Sequence, residues 1–371
     1  MSFQQVNSSF EEWLRERCAA GGCSVVEADL KQKHKNMTKV PFVFLRATFF
    51  RWAGRTEALC PDLSGAPAVL SLGDAHIENF GTWRDNEGRL VWGVNDFDEA
   101  AIIAYPFDLI RLATSTQLAP GRTIGGHRTC AAILGGYDEG LAHPRPDVLD
   151  EHDLWLRPLV HCPDDKRAKF WQGIDALDAV EPPTAVRAAL VCSLPDGAAN
   201  VRFARRIAGE GSLGRPRFLT IADWRGGRVL REAKALVPSA WDWAHGSLAS
   251  QSRFADLAMA ATRAPDPYMN VTGAFVIRRL APDSRKAELG DEAGADLREA
   301  NLRAAGLRDA RLDEADLAMH GLVAHSWSGR CLFHKINTLA AKWDTFSFAG
   351  SRRFSERVSH CIAATALKSD S

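Results

Sequence analysis

Three side chains in one stretch have the types and spacing needed to move a phosphoryl group. Asp74 and Asn79 stand five apart in LGDAHIENFG (72–81), and Asp96 follows in VNDFDEA (94–100). Phosphoryl transfer asks for few kinds of group. One carboxylate orients or deprotonates the attacking hydroxyl, and an oxygen donor and a second carboxylate hold Mg2+. Asp74 fits the first role, and Asn79 and Asp96 the second. Asp98 is a candidate second metal ligand, equally readable as a turn cap. A Gly-Asp or Asn-Asp pair alone marks a turn. Three such pieces, in order and on strand ends, are far more specific.

A phosphate clamp is also present, downstream. GEGSLG (209–214) sets Gly209, Gly211 and Gly214 in a Gly-x-Gly-x-x-Gly pattern with Ser212 inside it. Lys234 lies 20 residues beyond, in REAKALVPSA. A Gly-rich loop covering phosphates and a strand lysine contacting them form the nucleotide clamp of a kinase. The bland alternatives are a flexible hairpin and a surface lysine. The loop lies between two strand-like runs, which argues against a dinucleotide fingerprint, where a helix follows. In its strand Lys234 shares a face with Glu232 and Leu230. His76, inside the 72–81 loop, reads as a brace for it. Arg46 reads as a solvated helix face, with a reach into the site as the alternative, and Glu78 as plain surface.

These residues need elements to hold them. Residues 8–20 read as a helix capped by Ser8 or Ser9. Residues 41–53 read as one helix with Phe42, Leu45, Phe49 and Trp52 on a single face. PAVLSL (67–72) and RLVWGVNDF (89–97) read as strands, so each candidate loop follows a strand. Residues 106–119 and 125–142 are helical, while 144–200 are rich in Pro and Asp and resist assignment. VRFARRI, RPRFLTIADW and RVLREAKALV form an antiparallel unit over 201–237, with a hairpin signal at Gly226–Gly227. GAFVIRRL (273–280) is a further strand. Residues 295–319 carry a fivefold Ala-x-Leu-x-x tandem. It is readable as helix or as a β-helical coil and too short to stand alone as a solenoid.

The order Asp-x4-Asn, strand, Asp is the kinase catalytic-loop and metal-loop pattern, and the version here resembles the aminoglycoside-phosphotransferase branch. Gly73, Asp74, His76 and Asn79 match its catalytic loop, with Ser71 or Leu72 at the place of its leading His. Asp96, Phe97 and Asp98 match its metal loop. Asp108, twelve residues after Asp96, matches the Asp that braces the catalytic loop. More of the chain resembles the bacterial domain-of-unknown-function family 2252, grouped with kinase-like folds. The matching strings are KHKNMTKVPFVFLRATFFRWA (33–53), LGDAHIENFGTWRDNEGRLVWGVNDFDEA (72–100), YPFDLIRLATS (105–115), RRIAGEGSLGRPRF (205–218), LREAKALVPSA (230–240) and VIRRLAPDS (276–284). The resemblance spans about residues 31–290. It implies a kinase-like fold and a phosphotransferase or a relative of one, without naming a substrate. The chain departs from the pattern in two places. The tandem does not belong to the family, and no Glu lies between Lys234 and Pro267 to pair the strand lysine, leaving the shorter Asp242 or Asp256 to substitute.

The expected fold is therefore α+β, protein-kinase-like and two-lobed. It is circularly permuted, because the catalytic-loop motifs precede the Gly-rich β lobe. The expected domains are a mainly helical lobe over 1–200, a small antiparallel β lobe over 201–285, and a C-terminal part over 286–371. A chain of 371 residues is long enough for more than one core. The expected function is an ATP- and Mg2+-dependent phosphotransferase acting on a small molecule. The alternatives are a non-catalytic nucleotide-binding regulator, a nucleotidyl transferase, and an interaction protein docking through the tandem. Lys plus Arg equals Asp plus Glu at 46 each, so there is no bulk basic footprint for nucleic acid. No apolar run approaches a membrane span, and the N-terminus is not a signal peptide. The expectation is a cytoplasmic protein whose eight cysteines stay reduced. Cys18 and Cys23, the closest pair, lack metal-site spacing.

Overall fold

Phe42, Leu45, Phe49 and Trp52 are all buried, yet they do not share one helix. In the computed structural model, which describes residues 2–120, 125–248 and 251–284, the run is broken at Thr48. The Thr48 hydroxyl donates to the Phe44 carbonyl at 2.7 Å, a local bond that competes with helix continuation. The N-terminal segment thus becomes α1 (Phe3–Ala20), α2 (Glu27–Met37), α3 (Pro41–Ala47), α4 (Phe49–Ala53) and α5 (Thr56–Leu59). The cap of α1 is Ser2, in a reciprocal box with Gln5, rather than Ser8 or Ser9.

Four short strands follow: β1 (Ala68–Ser71), β2 (Phe80–Arg84), β3 (Leu90–Val94) and β4 (Ala101–Ala104). β1 pairs antiparallel with β4, ending at Ser71↔Ala101. β2 pairs with β3, starting at Phe80↔Val94. The 72–79 and 95–100 loops therefore both run from one strand pair to the other and lie side by side. α6 (Pro106–Leu118) starts on a Pro, whose fixed φ suits the first helical turn, and lies buried along most of its length. α7 (Gly126–Ala142), β5 (Asp147–Val148) beside β3, and α8 (Arg157–Val160) complete this part.

The Pro- and Asp-rich stretch holds α9 (Asp164–Asp175) and α10 (Thr184–Cys192), each started by a preceding Pro. Then come β6 (Ala199–Arg205), β7 (Arg217–Trp224) and β8 (Gly227–Ala235), α11 (Ala240–Ala244), α12 (Phe254–Ala258), β9 (Asn270–Thr272) and β10 (Phe275–Leu280). The sheet order is β6-β7-β8-β10-β9, antiparallel throughout. α10 covers one face through Val186 and Leu190 against Phe203, Phe218, Ala233 and Ile277. α9 covers one end of the other face through Ile174 against Leu219, Ile221 and Leu230. The rest of that second face holds charged residues and looks onto the 72–79 and 95–100 loops. The architecture is mixed α+β. No described helix is long and apolar enough to cross a membrane. The tandem and the rest of 286–371 lie outside the described residues.

Candidate functional site

Asp74 owes its position to α6. Asp108, in the first turn of that helix, accepts the backbone N–H of Leu72 at 2.7 Å and of Gly73 at 3.0 Å. Burial pushes Asp108 up to about 7, against those two N–H donors and Arg111. One turn on, Arg111 is wholly buried. Its Nε donates to Asp74 Oδ1 at 2.8 Å and its Nη2 donates to the Leu45 carbonyl at 2.9 Å. Its guanidinium also stacks on Phe49 and Trp52. One carboxylate oxygen of Asp74 is thus fixed from behind. The other faces the Gly-rich loop, where a Cβ built on Gly211 would stand 3.5 Å from it. Gly73 makes the entry to this loop possible. Its φ is +75°, and a Cβ there would sit 2.2 Å from the Glu99 carbonyl oxygen.

Asn79 ties the two loops together, its Nδ2 donating to the carbonyls of Asp74 (3.3 Å) and Asp96 (3.2 Å). His76 is buried with its ring edge-on to Phe42. From the sheet, Lys234 Nζ reaches Asp96 Oδ1 at 3.1 Å and also pairs with Asp98. Burial lowers the Lys234 pKa against the pull of those two carboxylates. Neither Asp242 nor Asp256 is its partner. Asp256 pairs with Arg253 at 2.8 Å, and Arg253 is also the cation acting most strongly on Asp242.

Several members of the site were not visible in the sequence. Arg215, just past Gly214, is buried and lies 3.2 Å from Asp98 and 3.0 Å from Glu99. Glu99 also accepts the Ala240 N–H at 2.7 Å, and burial pushes its pKa up to about 7 against Arg215. Arg46 pairs with Glu78, and both line the cavity instead of facing solvent. Lys33 on α2 is buried, its ammonium donating to the Gly211 carbonyl at 3.0 Å. Among the described residues no carboxylate pairs with it, and burial lowers its pKa to about 8. Asn36, one turn on, donates to Glu210 at 2.9 Å, so α2 grips the Gly-rich loop from outside. Two spacings were readable in advance. Arg111 is i+3 from Asp108, and Lys33 falls on the buried stripe of α2 between Leu30 and Met37.

These groups surround one cavity of about 320 Å³. Asp74, His76, Asn79, Asp96, Asp98, Gly209, Gly211 and Ser212 line it, and Lys234 stands behind Asp96 and Asp98. Gly214 instead closes the base of the loop, where its carbonyl accepts the Val26 N–H at 2.8 Å. Two buried oxygens on this wall, Asn79 Oδ1 and Asp98 Oδ1, accept no hydrogen bond. An amide oxygen and a carboxylate oxygen left unpaired beside the Asp96 carboxylate form a donor set that suits Mg2+. No cluster of three or more His, Cys, Asp or Glu is arranged for a metal among the described residues.

Residues 25–138 match a family described as an uncharacterized protein conserved in bacteria (DUF2252). That segment holds α2, both loops, Asp108 and Arg111. It stops short of the Gly-rich loop and the sheet. No curated protein matches the chain, and no solved structure does.

Proposed function

We propose that the protein is a kinase-like phosphotransferase that uses ATP and Mg2+ and acts on a small-molecule acceptor, on a two-lobed, circularly permuted frame. One observation supports this above the others. Lys234 and the Gly-rich loop meet Asp74, Asn79 and Asp96 at a single cavity, although Lys234 and Asp96 are 138 residues apart in sequence. Asp74, held through one oxygen by Arg111, keeps the other to orient an acceptor hydroxyl and take its proton. Asn79, Asp96 and Asp98 would hold Mg2+, which when bound supplies charge neutralisation for the phosphates. Lys234 binds phosphate by exchanging its present carboxylate partners for the ligand. The backbone of 209–214 covers the phosphates, and the loop lifts from Asp74 to admit them, because Gly211 now stands against that carboxylate.

A second reading, a nucleotide-binding regulator without turnover, is favoured by one feature. Among the described residues no glutamate orients Lys234, which rests on the carboxylates of Asp96 and Asp98 themselves. Calorimetric titration of ATP with and without Mg2+, into wild type and Asp96→Ala, tests the common ground. The expected result is Mg2+-dependent binding weakened at least about tenfold in the variant. No ATP binding to wild type would sink both readings. Binding without phosphate transfer to any acceptor in a broad screen, with Asp74→Asn indistinguishable from wild type, selects the regulator.

A further inference from the structure

The sheet lines the cavity with arginines and with no apolar side chain. On its inner face Arg217 and Lys234 are cross-strand neighbours, and Glu232 and Arg278 occupy the next rung. Arg206, just past β6, joins them. Glu232 is wholly buried and gathers all three arginines. It accepts Arg206 Nη1 at 2.7 Å, Arg278 Nε at 2.8 Å and Arg217 Nη1 at 3.4 Å. Burial opposes its charge, yet Arg278, Arg206 and Arg217 hold its pKa well below the carboxylate range. One carboxylate therefore serves three guanidiniums, and the other carboxylates acting on Arg217 and Arg278, Asp96 and Asp98, already pair with Lys234 and Arg215, so the wall carries more positive than negative charge. Arg217 is 4% exposed, and its Nε has no hydrogen-bond partner.

Surplus buried charge is costly unless something neutralises it. Here the surplus faces the cavity, so a ligand can supply the missing charge. Guanidinium forks held in fixed orientation match the oxygens of a phosphate group. They do not offer the flat apolar slot that a purine needs.

We propose that Arg206, Arg217 and Arg278, set by Glu232, form a phosphate-binding subsite on the sheet wall of the cavity, so that the small molecule bound there carries a phosphate group. Assignment of that phosphate to a reacting substrate rests on the phosphotransferase reading, whereas its binding does not.

The test is calorimetric titration of inorganic pyrophosphate into the full chain without Mg2+, using wild type, Arg278→Met and Arg206→Met. Wild type binds it, and each arginine variant loses about tenfold or more in affinity. Arg206 is the more exposed of the two arginines, so its variant keeps the test valid if Arg278→Met fails to fold. Repeating the titration with saturating ATP and Mg2+ separates the sources. Displacement assigns the subsite to a donor phosphate, and simultaneous binding assigns it to the acceptor. Arginine-dependent pyrophosphate binding in a protein that never binds ATP keeps the subsite and removes the kinase reading. No pyrophosphate binding to wild type, or unchanged binding in both arginine variants, overturns the proposal.

Discussion

Replacing Lys33 by Met should make the ligand-free protein more stable and phosphate binding weaker. The ammonium is buried against the Gly-rich loop with a carbonyl as its hydrogen-bond acceptor, and burial lowers its pKa from 10.5 to about 8. A depressed cation contributes stability that is present above the unfolded value of 10.5 and lost as pH falls through about 8. At pH 7 the fold therefore carries a penalty of about 3 kcal/mol for keeping this charge. Met keeps the apolar stem, removes the penalty, and gives up one neutral-acceptor hydrogen bond of about 1 kcal/mol. The net expectation is a gain of about 1–2 kcal/mol, read as a rise of roughly 2–4 °C in Tm. A bound phosphate would neutralise the same ammonium, so the variant should bind pyrophosphate about tenfold to a hundredfold more weakly. Wild-type affinity should also decline above about pH 8, a limb absent from Lys33→Met. Arg215, Glu99, Glu11 and Asp74 surround the ammonium. Of these, the arginine does not titrate near pH 8, and Glu99, pushed up only to about 7, is already ionised there. A Met variant that is destabilised, or that binds pyrophosphate as wild type does, would refute the reasoning, because Lys33 would then be a support of the loop.

Three further outcomes follow from the bracing around Asp74. Gly73→Ala should cost more than about 3 kcal/mol in denaturant unfolding, since the positive φ is strained for Ala and its Cβ would meet the backbone oxygen of Glu99 at 2.2 Å. Arg111→Met should cost about 3–5 kcal/mol by the same measurement, because it leaves Asp74 without its partner. A loss within about 0.5 kcal/mol would show that the pair is dispensable. Asp108→Asn should be destabilised most at acid pH. The Asp108 pKa is raised from 3.8 to about 7, so its contribution is fully present below 3.8 and lost as pH rises through 7. The stability gap between variant and wild type should therefore shrink between about pH 4 and 7 in thermal unfolding, and a constant gap would count against the burial argument.

What the sequence showed and what it hid divide along contact range. The two loops were legible because each is a contiguous string at a strand end, and Asp108 because its spacing from Asp96 is fixed. The three long strands of the antiparallel unit were legible as strand-like runs separated by Gly-rich turns. β2 and β4 were not, being only five and four residues long and adjoining loops already read for chemistry. The break at Thr48 was hidden because the buried positions keep helical spacing straight across it. α9 and α10 were hidden by the Pro and Asp residues that start them. The charge partners were hidden for a different reason. Whether Lys234 meets Asp96, whether Arg215 meets Glu99, and whether Lys33 meets no carboxylate depend on contacts that join distant segments, and no local pattern encodes them.

Those long-range pairings bear on how the site would work under the proposed reading. Its acids come from the loops after β1 and β3, and its cations from α2, the Gly-rich segment and the sheet. In the ligand-free protein Lys234 and Arg215 lie on Asp96, Asp98 and Glu99, so the acids and part of the cations satisfy one another. Under that reading Asp96 and Asp98 would hold the cation, and Lys234 and Arg215, released from them, would bind the phosphates. Exchange replaces ion pairs already made, so it adds little net affinity for its size. Lys33 and the arginines around Glu232 are different, because Lys33 has no carboxylate pair among the described residues and the three arginines share one carboxylate, so ligand binding gives up fewer ion pairs. Affinity should therefore depend more on Lys33, Arg217 and Arg278 than on Lys234, although Lys234 stands nearest the metal loop. Parallel pyrophosphate titrations of Lys234→Met and Arg278→Met measure this ranking, and a larger loss for Lys234→Met would reverse it.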